Sequence, residues 1–150
     1  MKKKLFFILS ASLLLFSFRQ QNDDAAAIKK LLEKEAATWR SGDVAVHAAC
    51  WHIQPYSRIL VSTTNGETFD VPPENMIKPS ASTGNGGFAV ISNYKVSIHG
   101  NNAWVSHDEE STSKDGKKTY SYEIRILEKI NNEWKLVGQS IHIYVPKKAE

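Results

Sequence analysis

The stretch AWVSHDEESTSKDGKKTYSYEIRILEKINNEWKLVGQSIHIYV, residues 103–145, decides the fold. It reads as three long strands, roughly Ala103–Ser111, Thr119–Lys129 and Glu133–Val145, rich in branched and aromatic residues. Two turn signals divide them: Lys114-Asp115-Gly116-Lys117 and Asn131-Asn132. Upstream, Phe88–His99 reads as a further strand, joined through Gly100-Asn101-Asn102. Connections this short leave no room for crossover helices, so the sheet is mainly antiparallel.

Ahead of the strands the apolar period changes. Ile28, Leu31, Leu32, Ala36 and Trp39 recur every three or four residues between Asp24 and Arg40, with lysines and glutamates between them. That spacing predicts an amphipathic helix. Gly42 can end it in the left-handed conformation, and Asp43 can cap a short second helix over about Val44–Trp51, which Pro55 stops. Arg58–Thr64 reads as a strand ending at Asn65-Gly66, with a helical turn expected near Glu74–Lys78. Gly84-Asn85-Gly86-Gly87 has no following helix, so it is a mobile loop and not a phosphate cradle. Helices first and strands after indicate an α+β domain.

The N-terminus belongs to a different class. Lys2, Lys3 and Lys4 precede an apolar run from Leu5 to Phe18, roughly 14 residues, the length of a signal-peptide core. Residues 1–22 are therefore expected to be an export signal, 23–146 the single domain and 147–150 a tail. The destination is periplasmic or secreted, with membrane attachment only through an uncleaved signal. Without Lys2, Lys3, Lys4 and Arg19 the 19 basic residues fall to 15, against 16 acidic. The domain is thus near neutral, which argues against nucleic acid as a partner. Cys50 is the single cysteine and sits among apolar neighbours, as a small buried hydrophobe does.

If Asp115-Gly116 and Asn131-Asn132 are both two-residue turns, His107 pairs with Ile124 and Ile124 with Gln139. One face then holds Val105, His107, Glu109, Tyr120, Tyr122, Ile124, Ile126, Val137, Gln139, Ile141 and Ile143, and should lie under the helices. The other holds Asp108, Glu123 and Arg125 as a surface ion-pair set, with Trp104, Leu127, Trp134 and Leu136 clustered at one end. A second copy covering that cluster would make the protein a homodimer through its sheet.

Three motifs in order add a resemblance. The helix ending in Trp39-Arg40-Ser41-Gly42-Asp43 is the first. The second is His99-Gly100-Asn101-Asn102-Ala103-Trp104-Val105, and the third is Asn132-Glu133-Trp134-Lys135-Leu136-Val137. Together they make residues 25–144 resemble the nuclear transport factor 2-like superfamily, in its SnoaL-like and ketosteroid-isomerase-like branches. The resemblance implies a cone-shaped roll, two or three N-terminal helices closing over a curved sheet, an apolar pocket at the open end, and commonly a dimer. Isomerases of that branch carry a carboxylate base just after the second helix. Here that segment is Trp51-His52-Ile53-Gln54, with none.

The expected ligand-binding set is Trp39, Trp51, His52, Tyr56, Arg58, His107, Tyr122 and Gln139. Tyr56 and His52 can hydrogen-bond a ligand, Arg58 can hold an anion, and His107 needs a partner such as Gln139 or Glu109. No cofactor is implied, and no histidine pair has metal-ligand spacing. The expected function is non-catalytic binding of a small apolar or amphipathic molecule, or of a protein partner. The alternative is an isomerase- or cyclase-type enzyme using His107 or His52 as base.

Overall fold

The computed structural model describes residues 2–79 and 83–147, with side chains described for 22–79 and 83–147. The side chains of the expected export signal up to residue 21, and the tail beyond residue 147, lie outside the described residues. Among the described residues no helix is long and apolar enough to cross a membrane.

Helix α1 (Lys2–Ser41) carries the amphipathic segment, with Ile28 and Leu32 buried on its inward face. Gly42 ends it at φ +79°, donating its N–H to Thr38 O. Asp43 then caps α2 (Val44–Ala48), its carboxylate accepting from Val46 N–H at 3.1 Å. Both events are those the Ser41-Gly42-Asp43 signal predicts. The strands are β1 (Ile59–Ser62), β2 (Thr68–Val71), β3 (Phe88–His99), β4 (Asn102–Thr112), β5 (Lys118–Ile130) and β6 (Glu133–Tyr144). A single 3-10 turn, η1 (Pro73–Met76), follows β2. The β2 strand lies in a region read from sequence as loop.

All six strands form one sheet in the order β2-β1-β6-β5-β4-β3. Only β1 and β6 run parallel; the other pairs are antiparallel. Two irregularities bend the sheet. One lies between Ser92 and Lys95, where Asn93 adopts φ 55°, and the other is opposite Ile126/Leu127, where β6 carries Val137 as an extra residue. Bulges of this kind increase local twist, and here they wrap the sheet around α1. The core under the helix is Ile28, Leu32, Cys50, Trp51, Ile59, Met76, Ala103, Val105, Leu127, Trp134 and Leu136. Cys50 is buried, and that burial raises its thiol pKa.

The register differs from the expected one by a single residue, and that residue inverts β5. The β4–β5 turn has three loop residues, Lys114, Asp115 and Gly116. Gly116 donates back to Ser113 O at φ +82°, and Ser113 N–H bonds Lys117 O. This is a type I turn with a glycine bulge, one residue longer than a two-residue hairpin. His107 therefore pairs with Glu123, not Ile124. The β5–β6 turn does have two residues, Asn131 and Asn132 at φ 49° and 65°, and Ile130 faces Glu133 as expected. Beyond the Val137 bulge, however, Gln139 pairs with Arg125. Because side chains alternate with period two, each one-residue change moves a whole strand face.

The inward face of β5 is thus Ser121, Glu123, Arg125 and Leu127, all buried. Tyr122 and Ile126 point outward with Trp104, and all three are exposed. Leu127, Trp134 and Leu136 need no second copy to cover them, since they form part of the core.

The approach to β3 depends on one glycine. Gly87 sits at φ +79°, where an added Cβ would lie 1.9 Å from Thr112 O and 2.9 Å from Ser113 Cα. Gly87→Ala is expected to lower stability by about 1–3 kcal/mol, the cost of a strained backbone position. The urea midpoint measures this, and an unchanged midpoint would mean the β3–β4 entry is looser than described.

A buried ion-pair floor as candidate functional site

The inward faces of α1 and the sheet enclose a cavity of ≈ 330 Å³ lined by Glu35, Ala36, Trp39, Arg40, Ile59, Val61, Val71, Asn75, Met76, Glu109, Glu123, Arg125, Gln139 and Ile141. Trp39, Met76 and the β-branched residues of β1, β2 and β6 supply apolar walls. The floor is charged. Such a pairing of apolar wall and few convergent polar groups is the usual form of a small-molecule site.

Glu35 organises the floor. It lies seven residues after Ile28, so it falls on the same helix face as the core residues and is only 5% exposed. One carboxylate oxygen accepts from His47 Nε2 at 3.0 Å and from Trp51 Nε1 at 3.3 Å; the other faces Arg125 Nη1 at 3.4 Å. His47 Nδ1 lies 2.7 Å from Met76 O, an acceptor only, so Nδ1 donates. Burial alone would raise the Glu35 carboxyl pKa, but Arg125, His47 and Trp51 together hold it below the ordinary carboxylate value. A lowered folded-state pKa means the unfolded chain takes up protons first as pH falls. The stability this cluster contributes is therefore complete above pH 4.5 and is lost as pH falls through the folded value. Urea midpoints measured from neutral pH downward should decline below that point, and Glu35→Gln should remove part of the decline.

Arg125, 5% exposed, is the hub. Its Nη2 meets Glu123 Oε2 at 2.5 Å, and its Nη1 bonds Gln139 Oε1. Across the cavity, Arg40 Nη2 bridges Glu109 Oε1 at 2.6 Å and Ser111 Oγ at 2.7 Å, while Nη1 donates to Ala36 O. Glu109 behaves unlike Glu35. Burial first, and the Glu123 charge second, raise its carboxyl pKa above the ordinary range, against the opposing pull of Arg125 and Arg40. Its Oε2 is buried without a hydrogen-bond partner among the described residues.

Behind the floor lies a second buried group. His107 is 0% exposed, and both ring nitrogens lack hydrogen-bond partners among the described residues, with Glu123 Oε2 4.0 Å from Nε2. Burial and Arg125 push its imidazole pKa down, opposed by Glu123. Tyr94 packs 5.6 Å away by ring centroids, and burial pushes its phenol up to about 12.

Of the residues expected from sequence to bind a ligand, Trp39 and Gln139 line the cavity. Trp51 is buried in the core and reaches the site through its bond to Glu35. His107 lies behind the wall. His52 pairs with the Gln54 amide. Tyr56 is 59% exposed and donates to Glu128 on the far side of the sheet. Arg58 forms an exposed pair with Asp70, and Tyr122 stands on the outer face. Glu123 and Arg125, expected as surface ion pairs, are the floor itself. Glu35 and Arg40 were missed, although the helical spacing from Ile28 and Leu32 put Glu35 on the buried stripe. Among the described residues no three His, Cys, Asp or Glu side chains gather as metal ligands.

No protein-family model matches the chain, and a search of curated proteins finds no match. Solved structures do. A nuclear transport factor 2-like protein with a cystatin-like fold from Novosphingobium aromaticivorans superposes with TM-score 0.65 at 12% identity, covering 89% of this chain and 90% of that one. One of unknown function from Shewanella baltica gives 0.61 at 15%, covering 83% and 96%. Another, from Cytophaga hutchinsonii, gives 0.57 at 21%, covering 83% and 98%.

Proposed function

We propose that this chain, which has the nuclear transport factor 2-like fold, binds a small amphipathic molecule in the cavity between α1 and the sheet, without transforming it. The observation that carries this reading is the polar floor. Five charged side chains, Glu35, Arg40, Glu109, Glu123 and Arg125, line a cavity whose walls are otherwise mostly apolar. Buried ion pairs contribute little net stability over a hydrophobic filling of the same volume. A fold that needed only a core would gain nothing from leaving this space open. The alternative of a histidine base has less support, because neither His52 nor His107 lines the cavity.

The test is a two-dimensional NMR screen with six-carbon alcohols, ketones, carboxylates and amines. Binding should move the Ile59, Val61 and Ile141 methyl signals and the Trp39 indole. Val61→Trp, which fills the cavity, should abolish those shifts while leaving the protein folded. A screen that moves no cavity signal would remove the reading.

Two further parts of the proposal concern where the protein acts. The Lys2-Lys3-Lys4 and Leu5–Phe18 pattern supports export, with removal of the N-terminal segment. N-terminal sequencing of the exported protein checks this; an uncut chain confined to the cytosol would refute it. The outer sheet face supports a homodimer, since Trp104 and Ile126 are paired neighbours and both exposed, with Tyr122 further along the same face. A monomeric mass at tens of micromolar would refute that.

A further inference from the structure

Among the described residues, Arg40 is the charged residue shared by two cavities. It lines the main cavity and also a second one of ≈ 380 Å³, formed by Ala36, Ala37, Gly86, Phe88, Ala89 and Ile91 among others. Its side chain is 13% exposed, whereas those of Arg125, Glu35 and Glu123 are 7% or less. The partner holding it is Glu109, whose other oxygen, Oε2, is buried and unpartnered. Arg125, also in the wall, keeps an Nε–H without a hydrogen-bond partner among the described residues.

The charges of the floor decide what these free groups can receive. Glu35 is met by His47 and Arg125, and Glu123 by Arg125. His47 donates from Nδ1 to Met76 O, and its Nε2 faces Glu35. Arg125 is taken up by Glu35 and Glu123, so the charges left beside the ligand space are Arg40 and, when ionised, its partner Glu109. An ammonium ligand placed there would bring a second cation beside Arg40. An anionic ligand balances Arg40 when Glu109 is protonated. The protonated carboxyl then donates from the oxygen that has no partner, and the Arg40 guanidinium keeps an anion beside it. Buried charge is tolerated only when paired in this way.

We propose that the cavity takes a small amphipathic anion, its head group between Arg40 and Glu109 and its apolar tail along Trp39, Val61 and Ile141, together with one proton taken up from water by Glu109. This rests on the ligand-binding reading above and names the chemical class that reading left open.

The groups acting on Glu109 are Arg40 from α1, Tyr94 from β3, and Glu123 and Arg125 from β5; Glu35 lines the same cavity, and His107 lies two residues away on the same strand. From β6 the same wall receives the uncharged Gln139 and the apolar Ile141. Tyr94, at about 12, titrates far above neutral pH. Glu35 is held below 4.5 and Glu109 above it, so of these two carboxyls Glu109 takes up a proton first as acid is added. His107 is held down as a neutral ring.

The experiment titrates the whole protein with n-hexanesulfonate, n-hexanol and n-hexylamine, following the Ile59 and Ile141 methyl signals. A sulfonate stays ionised throughout, so any pH dependence belongs to the protein. Hexanesulfonate is expected to bind most tightly of the three. Its affinity should rise by up to tenfold per pH unit as pH is lowered, levelling off once Glu109 is protonated in the free protein. Glu109→Gln should keep the preference for the sulfonate and flatten its pH dependence. Arg40→Met should lose the preference. Equal or tighter binding of the amine or the alcohol would overturn the anion assignment while leaving the cavity a ligand site. So would a pH dependence that survives in Glu109→Gln, with His107 the group then at work. If none of the three probes moves a cavity methyl, both this inference and the ligand-binding reading fall.

Discussion

Arg125→Ala is expected to lower the unfolding free energy by about 3–5 kcal/mol, the usual consequence of removing one partner from a buried ion-pair network. Arg125 contacts Glu123, Glu35 and Gln139, and all three are buried. Without the guanidinium, Glu35 keeps His47 and Trp51, but Glu123 is left with Ser121 and a distant His107. Two or three carboxyl groups then share a space with too little positive charge, and some must take up protons to remain folded. The loss should accordingly be largest at neutral pH and smaller in acid, where protonation relieves it. Urea denaturation across that range measures it. A loss under about 1 kcal/mol, typical of an exposed ion pair, would mean the cluster faces water.

The second large effect is a contrast between neighbours. Leu127→Ala is expected to cost about 2–5 kcal/mol, as large-to-small changes in packed cores do. Ile126→Ala should cost about 0.5 kcal/mol or less, as for a surface position. Leu127 is 0% exposed and Ile126 50%. The measurement belongs at protein concentrations low enough that the midpoint no longer depends on them, so that any pairing of outer faces does not contribute. The reverse ranking would restore the register in which Asp115-Gly116 forms a two-residue turn, with Ile126 inside.

That contrast marks how far the sequence could be read. The helix, its Gly42 stop, the Asp43 cap and the four long strands follow from local signals that act within a few residues, and each has its place in the structure. The β5–β6 hairpin was also legible, because Asn131 and Asn132 both tolerate positive φ. The failure lay at Lys114-Asp115-Gly116, where Gly116 serves as the third loop residue. Either loop length satisfies the same turn signal, yet the extra residue exchanges Tyr122 and Ile124 for Glu123 and Arg125 on the inner face. Apolar content then misled further. An inner face carrying Glu109, Glu123, Arg125 and Gln139 looks like surface unless Glu35, Arg40 and His47 are known to close over it from the helices. That closure is a tertiary fact, visible in sequence only as Glu35 standing on the buried stripe. The β1–β6 parallel pairing and the β2 strand were hidden for a related reason: both are short and are stabilised by their neighbours more than by their own pattern.

The direct test of the buried floor and its ligand is a crystal structure of the protein as purified, without added ligand. Arg125 should lie between Glu35 and Glu123 at the base of a cavity walled by Trp39, Val61 and Met76, with electron density for a bound molecule reaching Arg40 and Glu109. A structure with Tyr122 and Ile124 packed beneath α1, and Arg125 extended into solvent, would contradict both the site and the function built on it.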